Sequence, residues 1–159
     1  MKNIMKPINC LQMTALFLTA ALAGSVAAEE QVPFKGSILA VETSVAQFPT
    51  LFVDAIGSGH ATHLGRFTVT YELVGNLLTG EGSGSAHFIA ANGNSLFTEI
   101  TGQFSPTENP AVGSVVETYT ITGGTGRFDG ATGSFTVERL LNFVTGVTSG
   151  SFDGTIVLP

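Results

Sequence analysis

The sequence has only one cysteine, no tryptophan and few positive charges, with six lysines and arginines against twelve acidic residues. The only cysteine, Cys10, lies in a segment that we expect to be removed, so a disulfide framework is excluded. The absence of tryptophan removes the strongest stacking platform for sugars and quaternary ammonium groups. Stability must therefore come from packing and hydrogen bonding.

Residues 1–28 have the pattern of a secretory signal peptide. Lys2 and Lys6 precede an apolar run, "LQMTALFLTAALAG", and the small residues "SVAA" follow it directly before Glu29. The run is too short for a comfortable transmembrane span. We expect cleavage after Ala28, or alternatively after Ala27, and hence a secreted or periplasmic protein whose residues 29–159 form one domain.

The charge balance of residues 29–159 is strongly negative. Only Lys35, Arg66, Arg127 and Arg139 are basic, and all twelve acidic residues lie in this part, so the net charge is about −8. Such a surface repels nucleic-acid phosphates and anionic lipid head groups. Nucleic-acid binding is therefore excluded, and no membrane span is expected.

Residues 29–159 are dominated by strand-forming patterns. Runs rich in Val, Ile, Thr, Phe and Tyr alternate with Gly, Asn, Asp and Pro clusters, and no apolar stripe of helical period occurs. The eight predicted strands are "FKGSILAV", "TLFVDAIG", "FTVTYEL", "GSAHFIAA", "SLFTEITGQF", "SVVETYTIT", "GSFTVERLL" and "GTIVL". We predict an all-β fold, a single eight-stranded antiparallel β-barrel, because closure leaves no free edge; a β-sandwich is the alternative. Residues 105–113, "SPTENPAVG", should be a long surface loop, and His60 should also lie in a loop.

The stretch 120–135, "TITGGTGRFDGATGSF", holds five glycines and no lysine. A phosphate loop needs Gly-Lys-Ser/Thr, and a dinucleotide fingerprint needs a helix after the glycines, where a strand is predicted here. The glycines are better explained as turns between two strands. Phe128 would then plug one end of the barrel, and Arg127 would bind a carboxylate or carbonyl.

Within that stretch, "GGTGRFDGATG" resembles a segment shared by dirigent proteins and allene oxide cyclase-like barrel families, and with "HLGRFTVTYEL" it resembles small exported bacterial proteins of that kind. The resemblance implies an eight-stranded antiparallel barrel, often trimeric, with an apolar cavity. Some members steer or catalyse cyclisation of a reactive hydrophobic intermediate. No catalytic residue of those families matches a position in this chain, so catalytic residues stay unknown.

Alternation identifies the polar side chains that point inward. Glu117 and Tyr119 share an apolar face with their strand neighbours, and Arg139 does so on the next strand. Glu117 and Arg139 could therefore meet in the cavity and, with Tyr119 or Tyr71, orient a ligand or handle a proton. Two structural alternatives are open: a register slip that turns the charges outward, or a purely structural pair inside.

Other chemistry finds little support. His60 and His63 are three residues apart, so on one strand they would point to opposite faces, and His87 belongs to another strand; no metal site and no cofactor are predicted. "GEGSGSAH" has the letters of a hydrolase elbow but continues into a strand. The sequence thus predicts an exported barrel that binds a small apolar ligand or serves as a structural or interaction module. The alternative is a cyclase or isomerase of the dirigent or allene oxide cyclase kind.

Overall fold

The computed structural model describes residues 30–159, and the predicted signal peptide lies outside them. Eight strands follow in chain order: β1 (Glu30–Gln47), β2 (Thr50–Ala61), β3 (Gly65–Asn76), β4 (Glu81–Ala90), β5 (Ser95–Pro106), β6 (Val112–Gly124), β7 (Thr132–Asn142) and β8 (Val147–Leu158). Each strand pairs antiparallel with the next, and β1 pairs with β8, which closes the barrel. The predicted all-β, eight-stranded antiparallel barrel is confirmed.

The barrel has two unlike ends. The turns β1–β2, β3–β4, β5–β6 and β7–β8 form one end, which we call the open end; the other three turns form the closed end. Towards the closed end the interior is filled by aromatic rings in contact, with Phe135 about 5 Å from Phe34, Tyr119 and Phe152 between ring centroids. Aromatic rings bury large apolar areas, so this half supplies most of the core.

The glycine-rich stretch is a series of turns at the closed end, as predicted. Gly126 and Gly130 have φ of 60° and 79°, which other residues rarely adopt. Between them a single 3₁₀ turn, Gly126–Phe128, places Phe128 fully inside the barrel. Arg127 was expected to bind a carboxylate or carbonyl. Its guanidinium instead lies 4.8 Å from the ring centroid of Phe128, at the distance of a cation–π contact.

Two loop predictions are wrong, one in its bounds and the other entirely. Strand β5 runs to Pro106 and β6 begins at Val112, so residues 107–111 alone form the loop. Pro106 is tolerated because it ends its strand, where a missing N–H costs no ladder bond. His60 lies within β2, paired with Ser37 and Arg66, and not in a loop. None of the helical structure in residues 30–159 is long and apolar enough to cross a membrane.

Candidate functional site

The site is built around Glu117 and Arg139, which meet inside the barrel. In the β6–β7 register Glu117 pairs with Val137 and Val115 with Arg139, so the two charged residues are diagonal neighbours on the inner face. Arg139 donates from Nε to Glu117 Oε2 at 2.9 Å and from Nη2 to Glu117 Oε1 at 2.7 Å. Both side chains are only 3% exposed, so this is a buried, bidentate ion pair.

A second carboxylate, Glu42, completes the arrangement, and the sequence analysis missed it. Arg139 Nη1 donates to Glu42 Oε1, and also to Thr148 Oγ1 at 2.9 Å. The Glu42 side chain is 7% exposed. The first strand was predicted to end at Val41. Extending it by one residue would have placed Glu42 on the inward face that begins with Ile38 and Ala40.

Both tyrosines of the chain join this group as hydrogen-bond donors. Tyr71 donates to Glu42 Oε1 at 2.7 Å, and Tyr119 is 3.4 Å from Glu117 Oε2. Burial raises the pKa of Tyr71 and of Tyr119 well above the ordinary phenol value, and the neighbouring carboxylates raise it further against the opposing effect of Arg139. At neutral pH both phenols therefore stay protonated and donate hydrogen bonds to the carboxylates without transferring the proton.

The guanidinium is the counter-charge of the group. Burial alone would lower the pKa of Arg139, but the hydrogen bonds and negative charge of Glu117 more than offset this and raise it above its ordinary value. We call Glu42, Tyr71, Glu117, Tyr119, Arg139 and Thr148 the charge cluster. It contains two carboxylates and one guanidinium, and separates the aromatic core from the open end.

A cavity of about 190 Å³ lies between the charge cluster and the open end. Glu117 and Arg139 contribute to its lining, and most of the remaining lining is apolar: Leu51, Val53, Leu73, Leu77, Phe104, Val115, Leu141 and Phe143. Gly75, Gly82 and Gly102 also face it; the missing side chains of Gly75 and Gly82 leave the space, and that of Gly102 leaves room for Glu117. Pockets for drug-sized ligands usually measure about 300–1,000 Å³. This one fits a small molecule, or one end of a longer molecule that extends through the mouth.

The three histidines lie apart from the cavity. His60 and His63 are exposed near the closed end, and His87 is on the outer face of β4, with Nε2 2.9 Å from Ser95 Oγ. Within residues 30–159, no group of three or more His, Cys, Asp and Glu side chains could hold a metal ion. The structure thus brings together all four predicted ligand-site residues, Tyr71, Glu117, Tyr119 and Arg139, and leaves the histidines separate.

Comparison with known proteins supports the fold. The chain matches no protein-family model, and no curated protein is a significant match. Among solved structures, the pterocarpan synthase dirigent protein GePTS1 is similar, with a TM-score of 0.59 and 13% sequence identity over 90% of this chain and 99% of that chain. At this identity the likeness establishes a dirigent-like barrel fold; it does not identify a bacterial allene oxide cyclase-like family.

Proposed function

We propose that the barrel binds a small, mainly apolar molecule in the cavity at its open end. The observation that carries the proposal is the construction of the cavity: apolar walls, an opening to solvent, and one buried ion pair at the floor. Apolar walls supply affinity, and a few fixed polar groups supply orientation. In a barrel that served only as a scaffold, side chains would be expected to fill the interior along its whole length.

The floor indicates one chemical feature of the ligand. Arg139 carries five N–H groups, and its bonds to Glu117, Glu42 and Thr148 use four of them. The second hydrogen on Nη2 has no acceptor among the described residues. A ligand oxygen could accept from it, because Arg139 contributes to the cavity lining. We therefore expect the ligand to carry a hydroxyl or carbonyl oxygen at its buried end.

The test is native mass spectrometry of the protein purified from its own host, followed by extraction of any retained small molecule. The Gly82→Leu variant should lose that molecule, because a Cβ at Gly82 meets nothing closer than 3.7 Å and the longer side chain enters the cavity. Ser83→Leu is the matched control, since it adds the same side chain to the outer face of β4. A protein that retains nothing, or variants that lose the molecule equally, would refute the ligand site.

A cyclase or isomerase is the second candidate function. The buried carboxylate and guanidinium beside an apolar cavity favour it, because cyclisation can proceed by confinement together with one acid or base. The structural neighbour is itself described as a pterocarpan synthase dirigent protein. Glu117 would move the proton, since both phenols are held protonated. If the protein is such an enzyme, Glu117→Gln should abolish conversion of the retained compound's precursor while binding persists. Equal conversion by the unchanged protein and the Glu117→Gln variant would exclude a catalytic role for Glu117.

Export and self-association are further parts of the proposal. The predicted signal peptide would place the barrel in the periplasm or outside the cell.

The outer face of β1 and β2 exposes Leu39, Val41 and Ile56, with Val41 and Ile56 directly paired, and such a patch suits an interface of the kind found in oligomeric barrels. Sedimentation of residues 29–159 should show a homo-oligomer, a trimer if the resemblance holds, that Ile56→Glu dissociates. A monomer would contradict the proposed role as an interaction module.

A further inference from the structure

Two turns at the open end have the same five-residue pattern. The β3–β4 turn reads "NLLTG" from Asn76 to Gly80, and the β7–β8 turn reads "NFVTG" from Asn142 to Gly146. Because the barrel closes in the order β1 to β8, these turns lie on opposite sides of the mouth. Both end in a glycine of positive φ, 74° and 70°. The chain thus builds one turn twice, each time with two adjacent apolar residues at its tip.

The two turns satisfy their backbone N–H groups in the same way. The Asn76 Oδ1 accepts from Leu78 N at 2.8 Å, and the Asn142 Oδ1 accepts from Val144 N at 2.9 Å. Each asparagine carbonyl accepts from the closing glycine at 2.8 Å.

The residue after each asparagine is also bonded, to a neighbouring turn of the open end. Leu77 N donates to Pro49 O at 2.8 Å, and Phe143 N donates to Ala111 O at 2.9 Å. The donors of both tips therefore need no water. Satisfied donors lower the cost of bringing these turns to an apolar boundary.

The apolar side chains divide between two positions. Leu77 and Phe143, the first of each pair, line the cavity mouth. Leu78 and Val144, the second, point away from the cavity and are 69% and 81% exposed. Phe48, in the β1–β2 turn of the same end, is 74% exposed. Three turns around the mouth therefore expose large apolar side chains, where polar residues are the rule.

Charge separates the two ends of the barrel. The exposed cations among the described residues, Lys35, Arg66 and Arg127, all lie towards the closed end, and Arg139 is buried. The open end therefore offers no exposed lysine or arginine to anionic head groups. We propose that the open end docks on a neutral, zwitterionic lipid surface, with Phe48, Leu78 and Val144 entering the head-group boundary.

A lipid surface fits the tips better than a protein partner does. The exposed apolar side chains lie in separate turns around an opening, and a fluid surface can take them up without a complementary shape. A folded partner or a second copy seated on them would shut the mouth. On a lipid surface, the apolar rim continues into the apolar cavity wall through Leu77 and Phe143, so an apolar molecule could pass without crossing water.

The experiment is flotation of residues 29–159 with phosphatidylcholine vesicles, with and without phosphatidylserine. The test variant is Leu78→Ser/Val144→Ser. The matched control is Ile89→Ser/Val116→Ser, which makes the same kind of change at exposed positions on the outer faces of β4 and β6, outside the proposed oligomer interface. Neither pair touches the cavity, so the measurement needs no ligand and does not depend on the proposed ligand site.

The expected result is flotation with pure phosphatidylcholine, no gain from phosphatidylserine, and at least an approximately tenfold loss of partitioning for the tip variant, given the transfer energies of such side chains. The side variant should partition like the unchanged protein. Absence of flotation, equal loss in both variants, or dependence on phosphatidylserine would overturn the proposal. A dimer that only the tip variant dissociates, without vesicle binding, would overturn it in favour of self-association.

Discussion

Arg139 binds Glu117 through two of its nitrogens, although neither residue directly opposes the other across β6 and β7. The residues that do face them on the other side are glycines: Gly102 pairs with Glu117, and Gly150 with Arg139. Two long charged side chains can lie across the barrel because their neighbours have none. The ion pair and the glycines therefore form one structural unit, and substitutions of either should be coupled.

The first prediction concerns the charges. Arg139→Met should destabilise the fold by about 3–5 kcal/mol, because it leaves two buried carboxylates without a cation. Glu117→Gln should cost less, since Glu42 still neutralises the guanidinium. Urea unfolding measures both. Lys35→Met, which breaks the exposed pair with Asp153, is the control and should cost about 0–1 kcal/mol. An Arg139→Met loss no larger than that of the control would show that the buried pair does not stabilise the barrel.

The second prediction concerns the space beside Glu117. A Cβ at Gly102 would lie 2.5 Å from Glu117 Cγ, so Gly102→Ala should cost about 1–3 kcal/mol by overpacking. At Gly82, on the neighbouring strand, a Cβ meets nothing closer than 3.7 Å, and alanine should be neutral or stabilising by about 0.4–1 kcal/mol. Thermal unfolding compares the two variants. Equal melting temperatures of the two variants would mean that Glu117 can move aside without any loss of stability.

The third prediction uses the fact that the chain has two tyrosines and no tryptophan. Both phenols have raised pKa values in the folded state, mainly through burial. Their contribution to stability is therefore fully present below about pH 10, the ordinary value in an unfolded chain, and is lost as the pH rises beyond it. Near-ultraviolet absorbance should show no tyrosinate until the barrel unfolds, and then both tyrosines should ionise together.

Tyr71→Phe is the control for that titration. It should halve the absorbance change and keep the coincidence with unfolding, which circular dichroism records in the same samples. A tyrosinate signal that develops gradually in a protein with intact strands would show that at least one phenol is open to solvent, contrary to the burial of both rings.

Strand periodicity was enough to predict much of this site. Because side chains alternate with a period of two, the patterns around Glu117 and Arg139 placed both residues on inner faces, and pairing of consecutive strands brought them together. Tyr71 and Tyr119 followed from the same rule. The barrel was predictable for a related reason, since eight strands with turn residues between them can remove their edges only by closure.

What the sequence did not show depends on strand ends and on register. Glu42 was missed because its strand was predicted to end at Val41, whereas β1 continues to Gln47. The cavity was not predictable in size, because Gly75 and Gly82 leave space only when the register aligns them at one level. The paired "NLLTG" and "NFVTG" turns are visible in the sequence, but their shared place at the mouth appears only when the barrel closes.

The last prediction tests whether a turn at the mouth positions the charge cluster. Glu42 N donates to Gly146 O at 2.8 Å, and a Cβ on Gly146 would lie 2.5 Å from Glu42 O. Gly146→Ala should therefore displace Glu42 from Arg139 and Tyr71. Gly65→Ala is the matched control, since Gly65 has φ of 69° against 70° for Gly146 and a Cβ there meets nothing within 4 Å.

Both substitutions carry the cost of alanine at positive φ, roughly 1–2 kcal/mol. Gly146→Ala should lose about 1–3 kcal/mol more through the clash with the β1 backbone, measured by urea unfolding. It should also let Tyr71 ionise at lower pH than in the control, because the displaced turn opens its surroundings to water. Equal stability and equal tyrosine titration in the two variants would mean that the β7–β8 turn has no part in holding Glu42 against Arg139.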